Sequence, residues 1–481
     1  MKHHWTTVRK EHGSSARWPA LHKVPRPVIF LFVSLGLASL AIGAPERAGG
    51  KDVKPITLPQ AVSIAMKHNP GLHGAESYAD AVRRSIAMAE SSRYPHVDFS
   101  ENFTRGNNPV FVFSSLLMQR QFGAQNFQLG NLNFPAPLDN FRTQFTASAP
   151  LYDAGRTKRE VHDARLDAQS AQHAKERTQQ EVIFNVIGAY TNELLARENV
   201  QVAEASVKSA EEDLARAQAR QEQGQALLSD MLLARVQLAQ AKEDLIRARN
   251  SEAIGQASLN VAMGLQENAP TEIDGNLTQS SFESGALEDR QKQALALRPD
   301  YQQVLVGKEK ASINIAGARA QFLPTVNAFA GWEVDNQDFA SRGGNNWTAG
   351  AQVNLNIFDG GQRRARLAQS HAKERQAEAM VTQMASAVRL QVREAFMNLT
   401  AASDRVQVSR ESASQIEESL RILRDRYETG LATITDVLGT ETAHARAQGD
   451  FLNALYDYRM AYAALELATG ELAPQSPAVV R

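Results

Sequence analysis

The residues of this 481-residue sequence that could do chemistry are mostly acids, in adjacent pairs and in turns. Glu211-Glu212 and Glu417-Glu418 are the residue type that general acid–base catalysis uses. In stretches rich in helix formers they read as solvated helix faces rather than catalytic dyads. The 11 histidines are scattered, and His68 and His73, five apart, do not share a helical face. The sequence has no Walker-type phosphate loop, no His-Glu-x-x-His and no Gly-x-Ser-x-Gly. It has no cysteine, which excludes a disulfide framework, a thiolate metal site, a cysteine nucleophile and lipid attachment at an N-terminal cysteine. The expectation is a protein that is not an enzyme and holds no cofactor.

The remaining acids stand in turns, and the turns occur twice. Asp153-Ala154-Gly155 is matched by Asp359-Gly360-Gly361, where Asp can accept backbone N–H bonds at a helix start. Further on, Gly224-Gln225-Ala226-Leu227-Leu228-Ser229-Asp230 is matched by Gly430-Leu431-Ala432-Thr433-Ile434-Thr435-Asp436. Asp153 and Gly224 are 71 apart, as are Asp359 and Gly430; Pro70 and Pro95 are 25 apart, as are Pro299 and Pro324. The chain is therefore an internal duplication.

The elements that carry these turns follow from proline and periodicity. None of the 17 prolines falls within 151–269 or 325–473, and both stretches are rich in Ala, Gln, Glu, Arg and Leu. Small and apolar residues recur there at steps of three and four, as in Ala203, Val207, Ala210, Leu214, Ala217 and in Ala234, Leu238, Ala241, Leu245, Ala248. Long, closely packed helices are predicted, the first about 100 Å long at 1.5 Å per residue. Ahead of each Asp turn the period changes to two. Val97, Phe99 and Phe103 alternate with polar residues, as do Phe141, Phe145, Ala147, Ala149 and Leu151. The second repeat has Val326, Ala328, Ala330, Trp332, Val334 and then Trp347, Ala349, Ala351, Val353, Leu355, Ile357. An apolar face opposite Asn, Gln, Ser and Thr is the pattern of an outer-membrane barrel strand, or of a soluble sandwich whose polar face meets water. Four such strands cannot close a barrel, so several chains would have to share one.

The predicted order is a first repeat at 44–263 (short helix, β-hairpin 95–152, long helix 153–222, return helix 229–263) and a linker at 264–298. A second repeat follows at 299–470 (short helix, β-hairpin 324–358, long helix 359–429, return helix 435–469), then a tail at 471–481. A return helix of about 35 residues climbs only half the length of its partner, and the short helix has the length to fill the rest of the column. The linker, the segment 44–70 and the tail would then form a belt around the middle. The first hairpin interval, 58 residues against 35, carries an apolar excess around Pro109 to Met118, placed at the outer surface.

Composition narrows the class. With 52 Lys and Arg against 53 Asp and Glu, and 43% hydrophobic residues, neither disorder nor a basic nucleic-acid binder is indicated, and no nucleic acid is expected as a partner. Residues 1–43 read as an export signal, a basic stretch before the apolar run 28–42. Its removal would leave 46 basic against 52 acidic residues. No later run is long and apolar enough for a membrane helix. A secreted coiled-coil scaffold or adhesin would need no lipid-facing alternation, and a periplasmic adaptor would need a compact β-sandwich.

Across the whole mature chain the sequence resembles the TolC-like outer membrane efflux protein family. The resemblance is carried by Leu58-Pro59-Gln60-Ala61-Val62-Ser63-Ile64-Ala65-Met66-Lys67-His68-Asn69-Pro70, by the strand starts at Pro95 and Pro324, by Leu151-Tyr152-Asp153-Ala154-Gly155-Arg156 and Ile357-Phe358-Asp359-Gly360-Gly361, and by the two Gly-to-Asp turns. It implies an α+β membrane protein: a homotrimer with a 12-stranded outer-membrane β-barrel continued by an α-helical periplasmic barrel. It implies an exit duct for tripartite efflux, or alternatively for type I protein secretion. The implied partners are a periplasmic adaptor, an inner-membrane pump expected to be of the RND type, and outer-membrane lipid. Adaptor docking would fall on the tips Gly224, Gln225, Ala226, Leu227 and Gly430, Leu431, Ala432, Thr433. A periplasmic gate would involve Tyr427, Asp436 and Asp230. The family's basic partner is Ala432 here and its second acid is Gly439, so the family's closing salt bridge to the Asp230 turn is not expected through those positions.

Overall fold

A computed structural model describes residues 55–279, 285–339 and 341–480. The expected export signal at 1–43 lies outside the described residues. Helix α1 (Leu58–His68) starts on a capping box in which the Thr57 N–H donates to Gln60 Oε1 at 3.0 Å. Asn69 caps α2 (Pro70–Ser91), accepting from the Gly71 and Leu72 N–H groups, with proline at the first helical position where its missing N–H costs nothing.

Strands β1 (His96–Gly106) and β2 (Leu138–Tyr152) enclose α3 (Pro109–Met118), a 3-10 turn (Ala124–Phe127) and α4 (Leu129–Asn133). Next come the long α5 (Arg156–Glu222), its return helix α6 (Leu228–Ala262), and α7 (Leu287–Leu297). The second repeat runs through α8 (Pro299–Ala320), β3 (Thr325–Asn336), β4 (Gly344–Asn354), α9 (Gln362–Glu428) and α10 (Ile434–Thr469), and α11 (Pro477–Val480) closes the chain. Helices α1 and α7 form inside segments read from sequence only as belt.

The four strands make one antiparallel sheet in the order β1-β2-β3-β4. Register aligns the side chains: Phe99, Phe145, Trp332 and Trp347 stand in one row and Val97, Ala147, Ala330 and Ala349 in another, all on one face. Ser100, Gln144, Glu333 and Asn346 form a row on the other. The aromatic rows touch, with ring centroids 5.1 Å apart for Phe99–Phe145 and 5.9 Å for Phe145–Trp332. Leu355 and Ile357, expected to extend the last strand, lie beyond it. The carbonyls of Asn356 and Ile357 accept from the Arg363 guanidinium (2.7 and 3.4 Å) instead of from a neighbouring strand.

The predicted column is present and its partners can be named. Glu90 meets Arg165 and Glu76 meets Lys175, which lays α2 antiparallel along the sheet-proximal part of α5. Glu204 meets Arg249 and Glu211 meets Lys242, which lays α6 along the remainder. Lys308–Glu378 and Arg405–Asp457 tie α8 and α10 to α9 in the same manner. These exposed pairs contribute little energy each. The principal core lies halfway along α5, where Val182, Ile183, Val186, Ile187 and Tyr190 are buried with Val62 of α1, Val388 and Val392 of α9 and Leu465 of α10. The Tyr190 hydroxyl donates to the carbonyls of Ile56 and Asp274, and Ile56 and Ile273 form a parallel bridge, so both connecting segments are tied there.

The excess of the first hairpin folds back over the far end of the sheet. Gln119 Nε2 donates to Asn140 Oδ1 (2.8 Å), Asn140 Nδ2 to Asp335 Oδ1 (2.7 Å), and Arg120 to the Asn345 carbonyl (2.8 Å). A Cβ on Gly344 would overlap the Met118 carbonyl, so glycine there permits the strap to lie directly on β4.

At the near end, Asp153 accepts from the N–H groups of Gly155 (2.9 Å) and Thr157 (2.7 Å), and Asp359 from those of Gly361 (3.1 Å) and Arg363 (3.2 Å). The long helices therefore begin at Arg156 and Gln362, three residues after each Asp, because the turn itself is the cap. Burial works to raise the Asp153 pKa, but the bonds from Thr157 and Gly155 outweigh it and hold the carboxyl below its ordinary range. Its stabilisation is present above the ordinary value of 3.8 and lost as pH falls through the depressed one. Asp153→Ala should lower stability by about 1 kcal/mol at neutral pH, as for other helix caps, measured as a shift in the denaturant midpoint of the detergent-solubilised protein; an unchanged midpoint would exclude a capping contribution.

Candidate functional site: the helix-hairpin tips

The two long hairpins turn at their tips through the same backbone device. The Gly224 N–H donates to the Gln221 carbonyl (3.0 Å) and the Gln225 N–H to that of Arg220 (2.8 Å). Gly430 and Leu431 repeat this on Tyr427 (3.1 Å) and Arg426 (2.8 Å). This is a Schellman ending, and it requires the left-handed residue that glycine supplies, with φ of 73° at Gly224 and 79° at Gly430. A Cβ at either position would meet nothing, so within the chain these glycines are explained by backbone geometry and not by close packing. Leu227 and Leu431 project outward, 69% and 79% exposed, as do Gln225 and Thr433, while Ala226 and Ala432 are half-buried.

The return helices start on carboxylates. Thr433 Oγ1 accepts from the Asp436 N–H (3.2 Å), and the Asp436 carboxylate accepts from the Thr433 N–H (2.9 Å) and hydroxyl (2.7 Å), a complete capping box. The Thr433 hydroxyl, then its N–H, hold the Asp436 carboxyl below the usual range. Among the described residues Asp230 accepts from the Leu227 N–H (3.3 Å) and the Ser229 hydroxyl (3.4 Å), and the box stays incomplete because Leu227 offers no side-chain acceptor in return.

Tyr427 lies inside rather than at the surface of the tip, in a small cluster with Leu420, Ile434, Val437 and Leu438 against which Ala432 packs. The Arg220 guanidinium stands 4.8 Å from its ring centroid and donates to its carbonyl at 2.6 Å. Burial pushes the phenol's pKa up, opposed by Arg220.

One feature of the tip region was missed by sequence reasoning. Asp213 is 1% exposed, between the buried Ala210 and Ala217, whereas Leu214, assigned to the seam, is only half-buried. Asp213 is paired with Arg216 (2.8 Å) and lies against Glu441 of α10. Glu441 also accepts from Arg424 (2.5 Å) and Ser209 (2.8 Å), and Arg424 donates to Ser209 as well. Asp213 Oδ2 meets no donor unless a proton is shared with Glu441. Burial, then the contact with Glu441, raises the Asp213 carboxyl to about 7; Glu441, with Arg424 and Ser209 as additional donors, is held low against burial. The available sequence signal was the spacing of three and four from Ala210 through Asp213 to Ala217.

The other sequence-singled acids are surface groups: Glu211 pairs with Lys242 (3.1 Å) and Glu418 with Arg421 (2.7 Å). Among the described residues no cluster of His, Asp and Glu is arranged to hold a metal ion.

A sheet apolar on one face and open at both edges, carried on two helical hairpins with long first arms, is the build of an outer-membrane channel subunit. The family model described as outer membrane efflux protein matches residues 61–265 and 291–471, and the chain belongs to that family. It is similar to the outer membrane efflux protein BepC of Brucella suis, 23% identical over 86% of each chain. It is also similar to the alkaline protease secretion protein AprF of Pseudomonas aeruginosa, 23% identical over 85% of this chain and 83% of the other. The Campylobacter jejuni CmeC outer membrane channel superposes with a TM-score of 0.73, 17% identity and 96% coverage of both chains. The protein is thus an exit duct of the outer membrane, extending into the periplasm, for efflux or secretion.

The Asp213 site predicts a pH dependence. Because its folded pKa is raised, its contribution is fully present below the ordinary value of 3.8 and is lost as pH rises through about 7. Amide exchange along 206–220 should therefore quicken between pH 5 and 8 beyond its intrinsic pH dependence in the wild type and not in Asp213→Asn, which keeps a neutral side chain; equal behaviour in both would exclude the shared proton.

Proposed function

We propose that three copies of this chain close one 12-stranded barrel, continued by a helical tunnel, and that the assembly passively conducts substrates delivered by an inner-membrane pump and a periplasmic adaptor. The observation that carries this reading is the four-stranded sheet with a continuous apolar face and unpaired edges on β1 and β4. In hydrocarbon an unpaired edge costs several kcal/mol per group, and copies of the same chain can pair it. The detergent-extracted protein should sediment as a trimer; a monodisperse, water-soluble monomer would overturn the assembly.

Within that trimer the tips form the periplasmic entrance. Asp436, exposed at the start of α10, would be brought near its two symmetry copies, and like charges converging in a narrow pore favour a bound cation. Tyr427, held by Arg220, would set the position of the constriction, with Asp230 beside it. Arg220 of α5 supplies a cation that position 432 lacks. The adaptor would meet the outward residues Leu227 and Leu431 around Gly224, Gln225, Ala226 and Gly430, Ala432, Thr433. Because the chain has no cysteine, Leu431→Cys gives a single attachment point, and a heterobifunctional linker there should capture the adaptor in cells. Absence of capture from both Leu431→Cys and Leu227→Cys would count against the tips as the docking surface.

The capping geometry permits a clean test of the gate. Asp436→Asn keeps an acceptor for the Thr433 N–H and removes the charge. Single-channel recordings should show divalent-cation block from the periplasmic side that weakens in Asp436→Asn; unchanged block would leave Asp436 a cap alone. An RND-type pump is the proposed motor. The similarity to AprF supports a second reading, in which the duct serves type I protein secretion.

A further inference from the structure

All four junctions between sheet and helices lie at one end of the sheet, where β1 and β3 begin and β2 and β4 end. Around that end the exposed charge without a partner is mostly positive. Arg93, Lys158, Arg319, Arg364 and Arg366 are exposed and make no ion pair or side-chain hydrogen bond among the described residues. The neighbouring acids are already engaged: Asp153 and Asp359 by backbone N–H groups, Glu160 by Arg156 at 2.8 Å and Glu90 by Arg165 at 3.1 Å. Among the described residues, Asp98, inside β1, is the one acid close by without such a partner. The opposite end has no such excess. Arg105 pairs there with Asp139 and Arg142 with Asp335, Arg120 is bound to a carbonyl, and the exposed Arg342 stands four residues after the exposed Asp338.

Between the free cations and the apolar rows stand Tyr94, Leu151, Tyr152, Ile357 and Phe358, all exposed. A band of aromatic and aliphatic side chains bordered by unpaired cations matches the boundary of an anionic leaflet: acyl chains against the apolar groups, phosphates against the cations. We propose that this end of each subunit binds anionic phospholipid head groups of the leaflet that faces the helices, through Arg93, Lys158, Arg319, Arg364 and Arg366. The proposal rests on the outer-membrane reading and adds a lipid class to it. Guanidinium groups suit phosphate because they can donate two parallel hydrogen bonds. Binding of this kind fixes the depth of the sheet and weakens as salt screens the charges.

The test uses the full-length protein reconstituted in phosphatidylcholine bilayers containing a trace of spin-labelled phosphatidylglycerol or spin-labelled phosphatidylcholine. The motionally restricted fraction of each probe reports its relative association. Each cation that meets a head group contributes about fivefold, so the wild type should restrain phosphatidylglycerol several-fold more strongly than phosphatidylcholine at low salt. A variant with Arg93→Gln, Lys158→Gln, Arg319→Gln, Arg364→Gln and Arg366→Gln should insert normally and restrain both alike. A control with five cations removed far from the sheet (Lys208→Gln, Arg235→Gln, Arg247→Gln, Arg249→Gln, Arg446→Gln) should keep the preference. Equal restraint of the two lipids by inserted wild type, an undiminished preference in the first variant, or an equal loss in the control would each overturn the lipid site while leaving the channel reading intact. Failure of the wild type to insert at all would overturn both.

Discussion

A β-strand edge in hydrocarbon has no water to satisfy it, and the rest of this molecule depends on that constraint. The sheet has only four strands, so its two outer edges are compatible with a bilayer only if other strands pair with them. The register that makes such pairing useful is already set within the chain. Phe99, Phe145, Trp332 and Trp347 fall in one row because three successive pairings keep the same phase, and a one-residue slip in any of them would turn aromatic side chains to the polar face. Four antiparallel strands joined pairwise by hairpins then deliver all four helix junctions to the same end. A continuous helical column can follow the sheet there without a crossing connection.

The column is constrained differently, because its helices lie outside the lipid and pack through narrow seams. Ala210, Ala217, Ala234 and Ala241 are all buried, so the paired helices approach closely and little apolar area is available per turn. Long coiled segments built this way depend on a broader core elsewhere, and the cluster around Ile183, Ile187 and Tyr190 supplies it halfway along. Toward the tips the same narrowness makes a buried polar group conspicuous. Asp213 occupies a seam position where an apolar side chain would pack, and it is tolerated because Arg216, Arg424 and Ser209 surround the pair it forms with Glu441.

Much of this was legible in the sequence because it depends on periodicity and on residues with a single structural use. Proline at 70, 95, 299 and 324 marks helix and strand starts, the alternation from Val97 onward marks strand faces, and Asp153 and Asp359 can cap. What was not legible depends on contacts between distant segments. Nothing local distinguishes Leu355 and Ile357 from the strand they follow, since the strand ends where its partner begins: Asn354 pairs with Thr325, and Pro324 before it has no N–H to continue the ladder. Gln119, Asn140 and Asp335 are unremarkable polar residues until the strap brings them together. Tyr427 was placed at the entrance by resemblance, whereas its burial follows from the packing of α10 on α9, and its contact with Arg220 from the approach of α5 to that hairpin. Asp213 was overlooked because Leu214, beside it, satisfied the expected pattern equally well.

The duplication accounts for the frame but not for the tips, which have diverged. With Gly224 superposed on Gly430, Tyr427 corresponds to Gln221, Thr433 to Leu227, Glu441 to Arg235 and Asp213 to Ser419. The second hairpin consequently closes its own end: a complete capping box starts its return helix, and Leu420, Tyr427, Ile434, Val437 and Leu438 pack beneath it. The first has neither, since Leu227 cannot complete the box and both Leu227 and Leu228 stay exposed. Its tip is also held from outside, by Arg220 on Tyr427 and by Asp213 against Glu441, both of which reach from α5 to the second hairpin. Beyond the α5–α6 seam and its own turn, the first tip is therefore steadied by contact with the second, and loss of the Arg220 and Asp213 contacts would loosen the first tip more than the second.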